Sequence, residues 1–246
     1  MTETTSLRRP RPRPRARFQL VCLPHAGGSY SMYSTWAELL PPEIELIIAC
    51  YPGRLHRIDD PWPPSIAALA ADLAADLRTV LDRPWLAFGH SMGALVAHEL
   101  VLALGEFGSR PERLFVSARE APDVPAVRHL HLRTDDEVCE ALADMGGTDP
   151  ELLRLPEMRE LILPVVRGDY RLLAGHTPRP DARLTCPVTA FAGLSDPRVR
   201  LDGVARWREW TSGPFDSVEF SGGHFYLFEQ TGRVIGELVD RLPAHT

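Results

Sequence analysis

Lysine is absent from this 246-residue chain, whose 27 basic residues are all arginine. Six of them crowd into Arg8–Arg17, interleaved with proline, so residues 1–17 carry +5 and the remainder of a chain at net −6 stands at −11. An acidic body offers no basic groove to a polyanion, which excludes a nucleic-acid-binding domain. Cysteine is scarce as well. Cys22, Cys50, Cys139 and Cys186 show no C-x-x-C spacing, which removes a structural metal site or a disulfide scaffold and suits a reduced, cytoplasmic protein. Cys22 and Cys50 fall in predicted strands and Cys186 directly precedes one, where a free thiol behaves as a small hydrophobe. The leader lacks the apolar core of a secretory signal, and no apolar run approaches the roughly 20 residues that cross a membrane. Residues 1–17 are therefore expected to form a disordered, proline-stiffened tail, with contact to a polyanion or membrane surface as the rival role. Residues 18–246 have the length of one large α/β domain.

What is present is an alternation. Phe18–Leu23, Ile44–Tyr51, Leu86–Gly89, Arg113–Ala118, Pro187–Ala192 and Val218–Phe220 read as strands, mostly as continuous apolar runs typical of a parallel sheet covered on both faces. Helical spacing separates them. It runs through Met32, Trp36, Leu39 and Leu40, then through Ile66, Leu69, Leu73, Leu77 and Val80 behind an N-cap at Ser65. Further helices follow at Leu95–Leu104, Val204–Trp210 and Phe228–Leu242. The pattern predicts a mostly parallel, doubly wound sheet. Residues 125–180 break the rhythm with helices only: one from a capping box at Thr134–Glu137 to Gly146, a short one opened by Asp149 or Pro150, and a longer one over Pro156–Leu173, kinked at Pro164. This block is expected to lie over the site as a lid.

The informative stretch is Gly89-His90-Ser91-Met92-Gly93-Ala94. Between an apolar strand and an apolar helix, G-x-S-x-G marks a tight turn that lifts a serine hydroxyl above the sheet at a helix N-terminus. A serine hydroxyl is a weak nucleophile, so it needs a base and an acid to orient that base, expected in chain order on later strand ends. His224, in Ser221-Gly222-Gly223-His224-Phe225, fits the base. The other histidines precede Ser91, lie beside it in the elbow or on its helix, or fall in the insertion or at the terminus. Asp196, in Leu194-Ser195-Asp196-Pro197, is the favoured acid, with Glu120 as its rival; Asp169 and Asp202 read as helix-surface residues. For the oxyanion, the expected donors are the backbone N–H of Met92 and that of Ala26, the latter in a loop that Gly27 and Gly28 let approach closely.

These pieces together resemble the type II (external, editing) thioesterases of polyketide and nonribosomal peptide synthesis, within the α/β-hydrolase superfamily. The resemblance rests on Leu23–Ser29, Tyr51–Arg54, Gly89–Ala94, Ser117–Arg119 with Ala121-Pro122, Met145–Thr148, Leu163-Pro164 with Arg167 and Asp169-Tyr170, Asp196-Pro197, and Gly222–Phe225. It implies an α/β-hydrolase fold with a mobile lid, Ser91, Asp196 and His224 as triad, and hydrolysis of acyl groups from the phosphopantetheine thiol of acyl- or peptidyl-carrier proteins. No cofactor of the enzyme's own is expected, since the acyl group rides on the partner's phosphopantetheine; the composition and cysteine spacing above already predict no metal, no nucleic acid and no membrane, and a monomer is the default. Two stretches depart from the pattern: Arg54-Leu55-His56-Arg57, and Leu172–Thr177 after Tyr170. Carrier proteins are generally acidic, so Arg54, Arg57 and Arg119 are candidate docking residues, with solvated loop arginines as the alternative. The competing functions are a small-molecule carboxylesterase, a chain-releasing or acyl-transferring enzyme on the same fold, and a catalytically silent module whose tail binds a polyanion.

Overall fold

The computed structural model describes residues 5–125, 129–179 and 181–243. In chain order its elements are β1 (Leu7–Arg8), β2 (Phe18–Leu23), α1 (Trp36–Leu39), β3 (Ile44–Ala49), α2 (Ile66–Leu77), β4 (Trp85–His90), α3 (Met92–Gly105), β5 (Arg113–Ser117), α4 (Asp135–Met145), α5 (Pro156–Gly175), β6 (Val188–Gly193), α6 (Leu201–Ala205), β7 (Phe215–Phe220), α7 (Tyr226–Glu229) and α8 (Thr231–Val239). Among the described residues seven strands pair in the order β1-β3-β2-β4-β5-β6-β7, with the β1–β3 pair antiparallel and the others parallel. Strand side chains alternate between faces, which is why the continuous apolar runs can feed two cores. Val21, Leu23, Ile47, Ala87, Leu114 and Val116 join the apolar stripe of α2 and the helix α3. Leu20, Cys22, Phe88, Phe115, Phe191 and Phe220 meet Trp36, Leu227 and the apolar face of α8 on the other side.

β2 lies between β3 and β4, so strand order reverses there and a crevice opens at the carboxyl ends of β2 and β4. The serine turn leaves β4 and the Gly27-Gly28 loop leaves β2, so both reach this crevice. The helical block enters after β5 and returns at β6. It carries its own small core of Leu130, Val138, Cys139, Leu142, Leu153, Leu163 and Val166. Ser65 caps α2 and the Thr134–Glu137 capping box starts α4 as expected. The expected short helix at Asp149 is a single 3-10 turn at Leu152–Arg154, and α5 runs unbroken through Pro164. The Val204–Trp210 and Phe228–Leu242 helices are each divided, into α6 plus a 3-10 turn at Arg206–Trp210, and into α7 and α8. Residues 126–128 and 180 of the insertion, and 1–4 of the leader, lie outside the described residues.

The described part of the leader corrects the expectation of disorder. Leu7 is buried and, with Arg8, pairs along β3, covering what would otherwise be an open sheet edge. The cause is Glu45, a fully buried carboxylate in an otherwise apolar strand. Buried charge needs a partner. Arg9 Nε and the backbone N–H of Arg13 each donate to Glu45 Oε1 at 3.0 Å. The Arg13 guanidinium then donates to the carbonyls of Ala37 at 2.7 Å, Ile44 at 2.8 Å and Leu40 at 3.0 Å, which leave α1 and enter β3. Arginine's fork is suited to gathering several acceptors at once. Arg13→Ala is therefore expected to lower unfolding stability by about 2–3 kcal/mol, because it strands these carbonyls. Urea denaturation measures this, and a loss below about 0.5 kcal/mol would return the leader to the status of a loose tail.

Candidate active site

Ser91 sits between β4 and α3 at φ +55° and ψ −115°, a conformation that a residue with a side chain adopts only when its surroundings enforce it. Two glycines supply the enforcement. A Cβ on Gly89 would lie 2.1 Å from the Gly93 carbonyl oxygen, and one on Gly93 would lie 2.1 Å from that of Leu23. Their bare backbones let α3 settle against β2, and the Ser91 N–H donates to the Ser117 carbonyl at 2.8 Å. Two further loops continue the β6–β7 pairing beyond the strands. The Ser195 N–H donates to the Gly222 carbonyl at 2.9 Å, and a Cβ on Gly193 would meet the Gly223 carbonyl oxygen at 2.4 Å. The Asp196 and His224 loops are thus held together by backbone.

The side chains close a relay. His224 Nε2 lies 3.0 Å from Ser91 Oγ, and its Nδ1 lies 2.7 Å from Asp196 Oδ2. The other carboxylate oxygen, Oδ1, accepts the Arg198 N–H at 2.8 Å, which fixes the carboxylate's orientation. The side chain of Asp196 is fully buried and that of His224 nearly so. Water is kept from the pair, so its charge-assisted bond is stronger than it would be at the surface. Glu120, the rival acid, is turned elsewhere: its Oε1 accepts the Arg200 N–H at 3.2 Å at the start of α6.

Beneath the relay lies a buried chain that sequence reasoning did not find. His90 Nδ1 is 2.9 Å from Ser117 Oγ, and that oxygen is 2.6 Å from the Tyr226 hydroxyl. The His90 ring centroid is 5.3 Å from that of His224, and the His25 ring stands 4.8 Å from Phe225. Burial, reinforced by His224, pulls the His25 imidazole down to about 3 and that of His90 well below its ordinary value. Both rings stay neutral, leaving His224 without cationic neighbours of its own kind.

A cavity of about 220 Å³ opens over Ser91 and His224, lined by Ala26 and Gly27 from the β2 loop and roofed by Met145 and Tyr170 from the helical block. A recess of about 80 Å³ adjoins it, with Arg119, Glu120 and Arg198 on its wall. A groove of about 700 Å³ runs between α5 and Trp62 but touches no residue of the relay, so size does not mark the reactive site. Among the described residues, the N–H groups of Ala26 and Met92 have no hydrogen-bond partner within the chain. The four cysteines are buried, and burial raises the thiols of Cys50 and Cys186 to about 11, so neither offers a thiolate. Among the described residues no three His, Cys, Asp or Glu side chains gather as a metal site, and no helix is long and apolar enough to cross a membrane.

Two readings of the sequence need correction. Asp169 is not on a helix surface: it is buried and paired with Arg54, Oδ1 to Nη2 at 2.6 Å. The end of α5 that carries it packs inward against the β2 loop rather than outward. Arg54 is consequently unavailable for docking; Arg57 is tied to Asp60 and the Cys50 carbonyl, and Arg119 to the Val124 carbonyl.

The model of the thioesterase domain family matches residues 18–242. Thioesterase PikA5 of Streptomyces venezuelae is 41% identical over 238 residues, 96% of this chain and 85% of that protein. The solved type II thioesterase BorB, from the borrelidin biosynthetic cluster, superposes with a TM-score of 0.90 at 37% identity, over 99% of this chain and 100% of that one. YbtT, the type II thioesterase of the yersiniabactin NRPS/PKS pathway, gives 0.88 at 34% identity, over 97% and 98%. Likeness of this span, in sequence and in fold alike, assigns the chain: it belongs to the thioesterase domain family and is a serine hydrolase that acts on thioester bonds.

Proposed function

We propose that this enzyme hydrolyses acyl thioesters from the phosphopantetheine arm of acyl- or peptidyl-carrier proteins, clearing stalled units from a polyketide or nonribosomal peptide synthase. The observation that carries the reading is the hydrogen-bonded Ser91–His224–Asp196 relay opening into a cavity under the helical block. The relatives' biosynthetic contexts support the carrier-bound substrate. On this reading Ser91 Oγ attacks the thioester carbonyl carbon while His224 Nε2 takes its proton, and Asp196 steadies the resulting imidazolium. The N–H groups of Ala26 and Met92 hold the tetrahedral oxyanion. The C–S bond breaks, and Nε2 returns the proton to the departing thiolate. Water then attacks the acyl-serine carbonyl, giving a proton to Nε2 that passes to Ser91 Oγ as the acid leaves. These steps need no resident cofactor, because the acyl group arrives on the partner's arm. The same reading has the enzyme working as a monomer in the cytoplasm.

Intact-protein mass spectrometry of an acylated carrier protein tests it. Wild type is expected to remove the acyl mass, and Ser91→Ala to leave it in place. Persistence of acetyl, propionyl and longer acyl groups with wild type would discard the carrier substrate, and turnover of p-nitrophenyl esters alone would move the enzyme to the carboxylesterases.

A further inference from the structure

The Arg54–Asp169 pair is absorbed by none of these steps. It is buried, bidentate and spans 115 residues of chain, linking the loop after β3 to the lid helix α5. Its geometry concerns a third segment. Asp169 Oδ2, which takes Arg54 Nη1 at 2.8 Å, also accepts the Gly27 N–H at 2.7 Å. Arg54 Nη1 in turn donates to the Gly28 carbonyl at 2.7 Å. The ion pair thus holds one group on each of the two glycines directly after Ala26, one of them at φ +80°. Two glycines in succession have much conformational freedom to lose, and an N–H donor needs a fixed direction to stabilise an oxyanion.

The rest of the loop is held in the same manner. The Tyr33 hydroxyl donates to the Leu23 carbonyl at 3.1 Å and the Tyr51 hydroxyl to the Pro24 carbonyl at 3.2 Å. Nothing else among the described residues gives the Gly27 N–H an acceptor. The lid end of the tie is also built for close fit. The Trp62 indole fills the space where a Cβ on Gly53 would sit 1.4 Å from its ring, and one on Gly168 would sit 1.8 Å from its Nε1. Gly53 and Gly168 are the residues immediately before Arg54 and Asp169, so the indole clamps the two segments that supply the pair.

We propose that Arg54 and Asp169 are positioning residues that set the β2 loop in its oxyanion-binding shape, and that they do so only while α5 is seated. The lid helix then contributes to catalysis through its seat as well as by roofing the cavity: withdrawal of α5 takes Asp169 with it and releases the Gly27 N–H. The inference rests on the hydrolytic reading above but not on the identity of the natural acyl carrier.

The test compares wild type with Arg54→Met/Asp169→Leu, which removes both charges together and so avoids leaving one buried and unpaired. The near-isosteric Asp169→Asn accompanies it. Rates are measured per active site, titrated by the acyl burst, on a p-nitrophenyl ester and on the acylated carrier protein. The double variant is expected to lose about 100-fold in kcat on both substrates with KM within about threefold, the size of effect that follows loss of an oxyanion donor. A trifluoromethyl ketone, which adds to Ser91 and places an oxyanion in the same position, should lose affinity by the same factor, while the acid product binds unchanged. Asp169→Asn should fall between wild type and the double variant. A folded double variant with kcat per active site within threefold of wild type overturns the proposal. If that variant fails to fold, an unchanged kcat in Asp169→Asn overturns it. A wild type that turns over the ester but not the carrier thioester sinks the carrier reading alone and leaves the pair testable on the ester; a wild type inert to both sinks the two together.

Discussion

Asp196→Asn is expected to lower kcat about 10⁴-fold with little change in KM, whereas Glu120→Gln leaves both within about twofold of wild type. The size follows from a proton's position. With a carboxylate 2.7 Å from Nδ1, the imidazole places its hydrogen on Nδ1 and keeps the Nε2 lone pair free to receive the Ser91 proton at 3.0 Å. An asparagine amide can present an N–H to Nδ1 instead, which moves the ring hydrogen to Nε2, where it blocks the transfer. The shape survives and the base is lost. Burial of Asp196 sharpens the effect, since no water can enter to replace the carboxylate. Glu120 lines the neighbouring recess, but its carboxylate serves the Arg200 N–H. Steady-state kinetics on an acyl thioester, with circular dichroism to confirm folding, decide between the two acids; the reverse outcome would move that role to residue 120.

The relay was legible because each of its members follows a strand at a turn rich in glycine or proline. Residues that strand ends bring together can be matched without knowing the sheet order, provided the strands themselves are apolar enough to recognise. Asp169 shows where such reasoning stops. Its position in a helix of mixed polarity looks outward, and nothing local indicates a partner 115 residues away. One signal was present but not decisive: Asp169-Tyr170 and Tyr51–Arg54 both belong to the stretches that resemble the family. The leader failed for a different reason. Its arginine and proline content describes a segment with too little apolar surface to fold by itself, but the segment orders on another part of the chain. Glu45 was the available clue, since a carboxylate inside a strand covered on both faces requires a cation brought to it. The arginines in the leader supply it.

Acid is expected to destabilise the enzyme well before its carboxylates titrate, with the loss beginning near pH 6.5. The reason lies in two rings beside the relay, His25 in the cavity wall and His90 below it. In the unfolded chain His25 takes up a proton near pH 6.5, while in the folded protein burial holds its imidazole down to about 3. Between those values the unfolded state binds the proton and the folded state does not, so protons favour unfolding. The stability contributed by the neutral ring is complete above pH 6.5 and drains away as pH falls toward 3, at up to about 1.4 kcal/mol per pH unit. By pH 4.5 His25 alone removes about 2–3 kcal/mol, a large share of the 5–15 kcal/mol typical of a domain. His90, lowered by burial and by the neighbouring imidazoles, acts in the same direction. Glu45, whose carboxyl is held below its usual range against burial by Arg9, and Asp216, held down against burial by the Thr189 hydroxyl and Arg241, begin to contribute only below about pH 4.5, which leaves the upper window to the histidines. Urea unfolding at pH 7, 5.5 and 4.5 reads the slope directly. His25→Gln should flatten it by about 1 kcal/mol per pH unit even if the variant is less stable at pH 7. A wild-type stability that stays level from pH 7 to 4.5 would mean that these rings accept protons in the folded state, and the polar chain through Ser117 and Tyr226 would then have to hold a charge rather than a neutral ring.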